Sequence, residues 1–295
     1  MEFPTVLKDI ISELSEEESY KSVCHRRNTE QPMPSINSTS KIVELTRHVI
    51  FPGYYGNTPM RSGSIQYYIG TNIEQLYELL RHQIYAGLCF EDCETDDTKT
   101  SEKKIEAASL AVAFMEQLPS IRKSLSTDVE AAYLGDPAAH SHSEVIFCYP
   151  AIKAIVNYRV AHALSNLNVP IIPRLITEMA HSETGIDINP EAQIGDYFAI
   201  DHGTGVVIGS TTIIGNNVKI YQGVTLGAKS FPLDSDGNPI KGIPRHPIVE
   251  DNVIIYAQAT ILGRITIGAN SVIGGNVWVT NDVPPNSKIV QGKLS

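Results

Sequence analysis

Two of the nine histidines in this 295-residue chain, His202 and His246, lie inside a long stretch of evenly spaced aliphatics, and each sits where that spacing breaks. The first break is Asp201-His202-Gly203-Thr204-Gly205. An imidazole titrates near neutral pH, so it can take the proton of a weakly acidic hydroxyl as that oxygen attacks an electrophile. Gly203 and Gly205 tolerate positive φ, which suits a bulge that re-aims a side chain; the plainer reading is a surface histidine in a turn. The second break is Arg245-His246-Pro247, which closes an excursion from Ala228 to Pro244 with the turn-forming run Asp234-Ser235-Asp236-Gly237-Asn238-Pro239. Long loops off a rigid scaffold usually carry function. A guanidinium can grip a carboxylate with two parallel hydrogen bonds, although Arg245 could equally form a surface ion pair. Two histidines 44 residues apart do not make a three-histidine zinc site, so no metal is expected.

The elements that must position these residues are legible in the spacing. Ile188, Ile194 and Ile200 stand six apart. After a two-residue slip, Ile208, Ile214, Ile220 and Leu226 follow, and a further run reads Val249, Ile255, Ile261, Ile267, Ile273 and Val279. Six residues fit neither the 3.6-residue helical period nor the alternation of an ordinary strand. A period of six is the mark of a parallel β-helix, with short strands and tight corners wrapped into triangular coils. The glycine that often follows the aliphatic, as at Gly195, Gly209, Gly215, Gly227, Gly268 and Gly274, is expected to let the chain turn a corner.

The first 185 residues read as helical. Asn72 is expected to cap a helix with the stripe Ile73, Leu76, Leu79, Leu80 and Ile84. Ser101 is expected to cap another, through Ile105, Ala108, Val112 and Met115, that ends near Pro119. Pro150 suits the first turn of a third, through Ile152, Val156, Val160 and Leu164. Residues 51–57 read as a loop, 91–97 as an acidic linker and 1–40 as partly mobile. The expected division is a helical domain over 1–185, a coil over 186–285 carrying the loop 228–244, and a tail over 286–295. A net charge of −10 argues against non-specific nucleic-acid binding. No apolar run reaches membrane-spanning length and the N-terminus lacks a secretion signal, so a cytoplasmic protein is expected. Cys24, Cys89, Cys93 and Cys148 are expected to be buried reduced thiols; Cys89 and Cys93 have no second pair with which to complete a zinc site.

These segments together resemble a known family. Asp187-Ile188-Asn189-Pro190, then Ile200 to Gly209, then Gly223-Val224-Thr225-Leu226-Gly227, then Arg245-His246-Pro247 are similar in order and spacing to the serine acetyltransferases. Upstream, Gly135-Asp136-Pro137-Ala138 and Tyr158-Arg159-Val160-Ala161-His162 look like the end of that family's helical domain. The resemblance implies an α+β architecture, an N-terminal α-helical domain followed by a left-handed parallel β-helix of hexapeptide repeats. It implies acetyl transfer from acetyl-CoA, a co-substrate and not a resident cofactor, to the hydroxyl of L-serine. His202 would be the general base and Asp187 would orient it, in the manner of a hydrolase dyad. Fifteen residues is three short of one coil, which leaves about 10 Å for the slip and corners to close. Asp136 and Asp201 would hold the substrate ammonium, Arg245 its carboxylate, and His246 would also touch substrate. Gly227, Ala228, Ala257 and Gly275 would line the acetyl-CoA site.

The resemblance further implies L-cysteine as a feedback inhibitor and assembly into trimers or hexamers with sites between neighbouring coils. Four departures bear on this. Ser210 stands where the family usually has Glu, Ala228 replaces a Gly, and the 228–244 loop is longer than usual. The sequence ends Lys293-Leu294-Ser295 without the Ile-terminated tail that relatives insert into O-acetylserine sulfhydrylase, which speaks against that complex. Another small hydroxyl acceptor such as a sugar, or a non-catalytic assembly module, remains an alternative reading.

Overall fold

The computed structural model describes residues 3–25, 31–56, 63–90 and 97–291. Eight helices come first: α1 (Phe3–Leu14), α2 (Glu17–Tyr20), α3 (Ile36–Ile50), α4 (Ile65–Cys89), α5 (Asp97–Gly135), α6 (His142–Cys148), α7 (Pro150–Asn166) and α8 (Ile172–Thr184). Ser35 caps α3 by accepting from Ser38 N at 3.2 Å, and Gln83 of α4 accepts from Ser35 N at 2.7 Å. Residues 4–25, within the stretch expected to be partly mobile, form α1 and α2 but stay exposed except for half-buried Tyr20.

Two expected helix boundaries are wrong for physical reasons. Asn72 does not cap α4; it lies within it, donating to Tyr68 O at 2.7 Å and facing His48 Nδ1 at 3.3 Å. Pro119 does not end α5, which runs on to Gly135. A proline inside a helix costs about 3 kcal/mol. Against it stands one buried stripe on both sides of the proline: Ala107, Ala111, Phe114, Leu118, Ile121, Leu125 and Val129. The stripe expected here was on the wrong face, since Ile105 and Val112 are exposed. Pro150 begins α7 as expected. Asn57, residues 91–96, Cys93 and residues 292–295 lie outside the described residues.

From Asp187 the chain winds into a left-handed β-helix of five turns with three parallel faces. The first turn is β1 (Asp187–Ile188), β2 (Gln193–Ile194) and β3 (Ala199–Asp201); the second is β4 (Val207–Ile208), β5 (Ile213–Ile214) and β6 (Lys219–Tyr221). The third is β7 (Thr225–Gly227), β8 (Ile248–Val249) and β9 (Ile254–Ile255), and the fourth β10 (Thr260–Leu262), β11 (Thr266–Ile267) and β12 (Val272–Ile273). The fifth holds β13 (Trp278–Val279) and β14 (Lys288–Ile289). Face one stacks β1-β4-β7-β10-β13, face two β2-β5-β8-β11 and face three β3-β6-β9-β12-β14. The six-residue aliphatics fall in register, Ile188 on Ile208, Ile208 on Leu226 and Ile261 on Val279, and fill the interior. Because β14 pairs with β12, the coil extends to Ile289, beyond the expected boundary at 285.

The glycines after the aliphatics serve a different purpose from the one expected. None of the six has positive φ. Each is pressed against the adjoining turn or loop: a Cβ on Gly215 would lie 2.3 Å from Asp251 Oδ1, and one on Gly268 2.4 Å from Pro285 N. The left-handed corner conformation belongs instead to Asn217, Asn252, Asn270 and Asn286. Asparagine tolerates that region better than other side chains with a Cβ. Their amides also form a ladder, Asn217 donating to Asn252 at 2.8 Å and Asn252 to Asn270 at 3.0 Å.

The helical domain closes the open end of the coil through a buried ion pair. Arg159 of α7 donates to both oxygens of Asp128 of α5, Nε at 2.7 Å and Nη2 at 2.9 Å. The same guanidinium reaches Ile194 O and Gly195 O, while Asp128 accepts from Phe198 N at 3.0 Å. Burial works against the charge of Arg159, and Asp128 outweighs it, so its pKa is raised. No described helix is long and apolar enough to cross a membrane. Removing one partner leaves the other charge buried and alone, so Asp128→Ala should lower unfolding free energy by about 3–5 kcal/mol. Urea melts check this; a loss below about 1 kcal/mol, the range of an exposed pair, would contradict it.

Candidate active site

His202 stands at the corner between faces three and one. The corresponding corner of the second turn has three residues, Gln222 to Val224, whereas here five residues, His202 to Val206, separate the strands. The two-residue slip is therefore an enlarged corner, with positive φ at His202, Gly203 and Gly205. A side chain on Gly203 is excluded, since its Cβ would meet Ile186 Cδ1 at 2.5 Å. The corner turns the His202 side chain outward, where it is 76% exposed. Asp187 reaches the same corner by strand pairing: Asp187 N donates to Val206 O at 2.9 Å, and Gly205 N to Gly185 O at 2.8 Å. Parallel pairing thus sets Asp187 beside the far end of the corner, opposite Val207. The expected side-chain dyad is not formed in this conformation. Among the described residues no hydrogen bond joins Asp187 to His202, and the carboxylate facing His202 Nε2 is Asp201, at 3.8 Å, too far for a hydrogen bond.

Asp136 and Asp201 are brought together. They line a small crevice of about 10 Å3 between the end of α5 and face three, with Tyr149 and Lys219. Asp136 accepts from Tyr149 OH at 2.6 Å and from Ala138 N at 2.8 Å. The Tyr149 bond chiefly holds the Asp136 carboxyl below the usual range, and the same bond pushes the tyrosine up to about 12. Asp201 pairs with Lys219 Nζ at 2.9 Å, which also donates to Gly135 O at 2.6 Å. Sequence reading missed Tyr149 and Lys219. The six-residue register carried a signal for Lys219, because it aligns with Ala199 two residues before Asp201.

Arg245 and His246 occupy another corner, between faces one and two. Thr211 Oγ1 accepts from Arg245 N and His246 N, at 2.9 and 3.1 Å. It therefore donates its own proton to His246 Nδ1 at 2.8 Å, and Thr211 N donates to the same nitrogen at 3.1 Å. Two donors on Nδ1 fix the neutral tautomer with hydrogen on Nε2. Burial, then Arg245 and Arg264, lower the pKa of His246 to about 4. Its ring lies over Gly209, where a Cβ would come within 2.1 Å of it. Arg245 makes no ion pair among the described residues; its Nε is buried without a partner and its guanidinium stands 5.9 Å from the Phe231 ring centre. Arg245 and His246 thus share one corner, apart from Asp136, Asp201 and His202.

The residues expected to line an acetyl-CoA site flank face one. Gly227 ends β7 opposite Leu262, next to half-buried Ala228. Ala257 and Gly275 stack one turn apart on the far corner, where a Cβ on Gly275 would lie 3.0 Å from Ala257 O. Glu178, His181 and Asp187 present ligand atoms within 4.8 Å of one another, the single group of this kind among the described residues. The cysteines are not uniformly buried: Cys89 is, but Cys24 and Cys148 are exposed.

Residues 246–281 match the family model described as bacterial transferase hexapeptide (six repeats), which makes this a hexapeptide-repeat transferase coil. A plasmid serine acetyltransferase of Synechococcus elongatus is 47% identical over 292 residues, 98% of this chain and 91% of its own length. The chain belongs to the serine acetyltransferase family. The crystal structure of Entamoeba histolytica serine acetyltransferase 1 in complex with L-cysteine superposes with a TM-score of 0.74 at 34% identity, covering 95% of this chain and 94% of that one. Soybean serine acetyltransferase complexed with serine gives 0.55 at 29%, covering 89% and 98%.

The locked His246 makes a testable statement about pH. An unfolded histidine titrates near 6.5, so as pH falls the unfolded state takes the proton first. Stability held by the neutral ring is whole above about pH 6.5 and drains as pH falls toward 4. Urea melts at pH 7 and pH 5 should show wild type losing more stability than His246→Gln. Equal losses would mean that the ring is not held neutral.

Proposed function

We propose that this protein transfers the acetyl group of acetyl-CoA to the hydroxyl of L-serine, with His202 as general base. The observation that carries the reading is the enlarged corner, which interrupts the spacing of the coil and presents one imidazole to solvent beside the Asp136–Asp201 cleft. As the hydroxyl oxygen attacks the thioester carbon, His202 takes its proton; the C–S bond then breaks, and the CoA sulfur leaves with the electron pair and receives that proton. Asp187 orients the imidazole and stabilises its charged form once the exposed ring turns toward it. Asp136 and Asp201 receive the ammonium. Arg245, whose buried Nε has no partner among the described residues, receives the carboxylate. His246 adds an uncharged N–H beside it. Acetyl-CoA lies along face one by Gly227, Ala228, Ala257 and Gly275.

Because the ammonium and carboxylate ligands stand on different corners, the complete site is formed where the His202 corner of one chain meets the Arg245 corner of another, in a trimer. The exposed thiols Cys24 and Cys148 fit a reducing, cytoplasmic setting.

A base of this kind contributes roughly 10²- to 10⁴-fold. His202→Ala should lose that much in kcat in a coupled assay for free CoA, with the KM for acetyl-CoA nearly unchanged, and Asp187→Asn should fall less far. Turnover at the wild-type rate in His202→Ala would reject the mechanism.

L-cysteine carries the charges of L-serine with sulfur in place of oxygen, so the same ligands should admit it. Titration at varied serine and fixed acetyl-CoA should give inhibition competitive with serine. Purely non-competitive inhibition would place cysteine at a separate site.

A further inference from the structure

Lys219 is an unusual neighbour for two carboxylates assigned to a substrate ammonium, because it is itself an ammonium already seated beside them. It projects from β6 in register with Ala199 of β3 and is only 18% exposed. Nζ pairs with Asp201 Oδ2 at 2.9 Å, donates to Gly135 O at 2.6 Å and stands 4.6 Å from the Tyr221 ring centre. Tyr221 in turn stacks on Tyr256 at 5.0 Å. Burial disfavours the charge of Lys219, but Tyr221 and Asp201 outweigh it and raise the pKa above the ordinary lysine value. A lysine with this many fixed partners is a built part of the cleft and not a temporary occupant.

Its effect on His202 follows from where Asp201 is held. Asp201 and His202 are adjacent in sequence, yet Nε2 and Oδ1 stay 3.8 Å apart while Lys219 holds Oδ2. The charged groups around His202 are Asp201 at the end of β3, Asp136 after α5, Asp187 on β1 with Glu178 and His181 of α8 beside it, and Lys219 on β6, the single cation among them that is charged at all ordinary pH. We propose that Lys219 is a positioning residue that holds Asp201 off His202, so that the imidazole stays available as a base and the carboxylate stays oriented toward the substrate ammonium. The proposal rests on the assignment of His202 and Asp201 made above.

Freed from Lys219, Asp201 closes on the protonated His202 and stabilises it. The imidazole then requires a higher pH to lose its proton, so the acid limb of the kcat/KM profile moves upward. A carboxylate closed to hydrogen-bond distance on an imidazolium shifts it by on the order of one unit. The KM for L-serine should rise roughly tenfold, the scale of one charged hydrogen bond misplaced, while that for acetyl-CoA holds.

The experiment is the pH dependence of kcat/KM for Lys219→Met and Lys219→Arg, with thermal melts on each. The methionine variant should shift the acid limb up and raise the serine KM, and arginine should restore the limb. Lys219→Gln, which keeps a donor but no charge, should behave like methionine and serves if the methionine protein folds poorly. An unmoved acid limb in both neutral variants overturns the proposal, as does a lowered serine KM, which would make Lys219 a competitor of the substrate. An inactive His202→Ala beside unmoved Lys219 variants removes this proposal alone; a fully active His202→Ala removes the assignment beneath it.

Discussion

The buried pair between Asp128 and Arg159 is the contact on which the site depends, because it joins two helices to the first turn of the coil at one point. Asp128 is fully buried and Arg159 nearly so. Such a pair gains little net stability, since desolvation offsets much of the attraction, but its geometry is demanding. Five hydrogen bonds converge on it, and three end on the backbone of residues 194, 195 and 198. Neighbouring bonds reinforce the seam: Tyr158 OH donates to Ala192 O at 2.6 Å, and His162 Nδ1 to Pro190 O at 2.8 Å. The seam fixes where α5 ends, and α5 ends at Gly135, whose carbonyl receives Lys219. Asp136 is the next residue. One side of the Asp136–Asp201 cleft is therefore supplied by the helical domain and the other by the coil, and the ion pair sets their separation.

Beyond that seam the coil works as a ruler. Strands on each face stack in register, so residues added beyond eighteen per turn must appear as a protrusion. The last turn is two residues short, Val272 pairing with Lys288, and two insertions occur. One adds two residues at His202 and the other adds the 228–244 loop between β7 and β8, and these are the places that carry the histidines. Insertions at corners leave the interior aliphatics in place, whereas an insertion within a strand would turn its apolar side chain outward. The fold thus tolerates added chemistry at its edges while the core remains unchanged.

Much of this was readable in the sequence because the interior accepts one kind of residue at one interval. The thirteen aliphatics gave the coil, its slip and its loop, and the break at Asp201-His202 pointed to the corner. The helical domain was less legible. Pro119 looks like a terminator locally, and the packed stripe from Ala107 to Val129 that overrides it is visible only once a partner helix is present. Asn72 looks like a cap for the same reason. Lys219 was hidden because its meaning depends on Gly135, 84 residues away. The role of the repeat glycines was misread because close approach between turns leaves no trace in a single strand.

The charge arrangement finally constrains what kind of molecule the site can take. At the His202 corner two carboxylates face one lysine, leaving a net negative charge; at the other corner Arg245 has no acidic partner among the described residues, and His246 is kept neutral so that it adds none. Each corner alone is electrostatically incomplete, and the two are incomplete in opposite senses. A ligand with both an ammonium and a carboxylate satisfies them together. The corners of one coil, however, are separated by one face of the triangle, about six residues of extended chain or roughly 20 Å, far more than an amino acid spans. A single chain therefore cannot bring both to one small zwitterion. Corners from two chains can, which is the physical ground on which an intersubunit site is proposed.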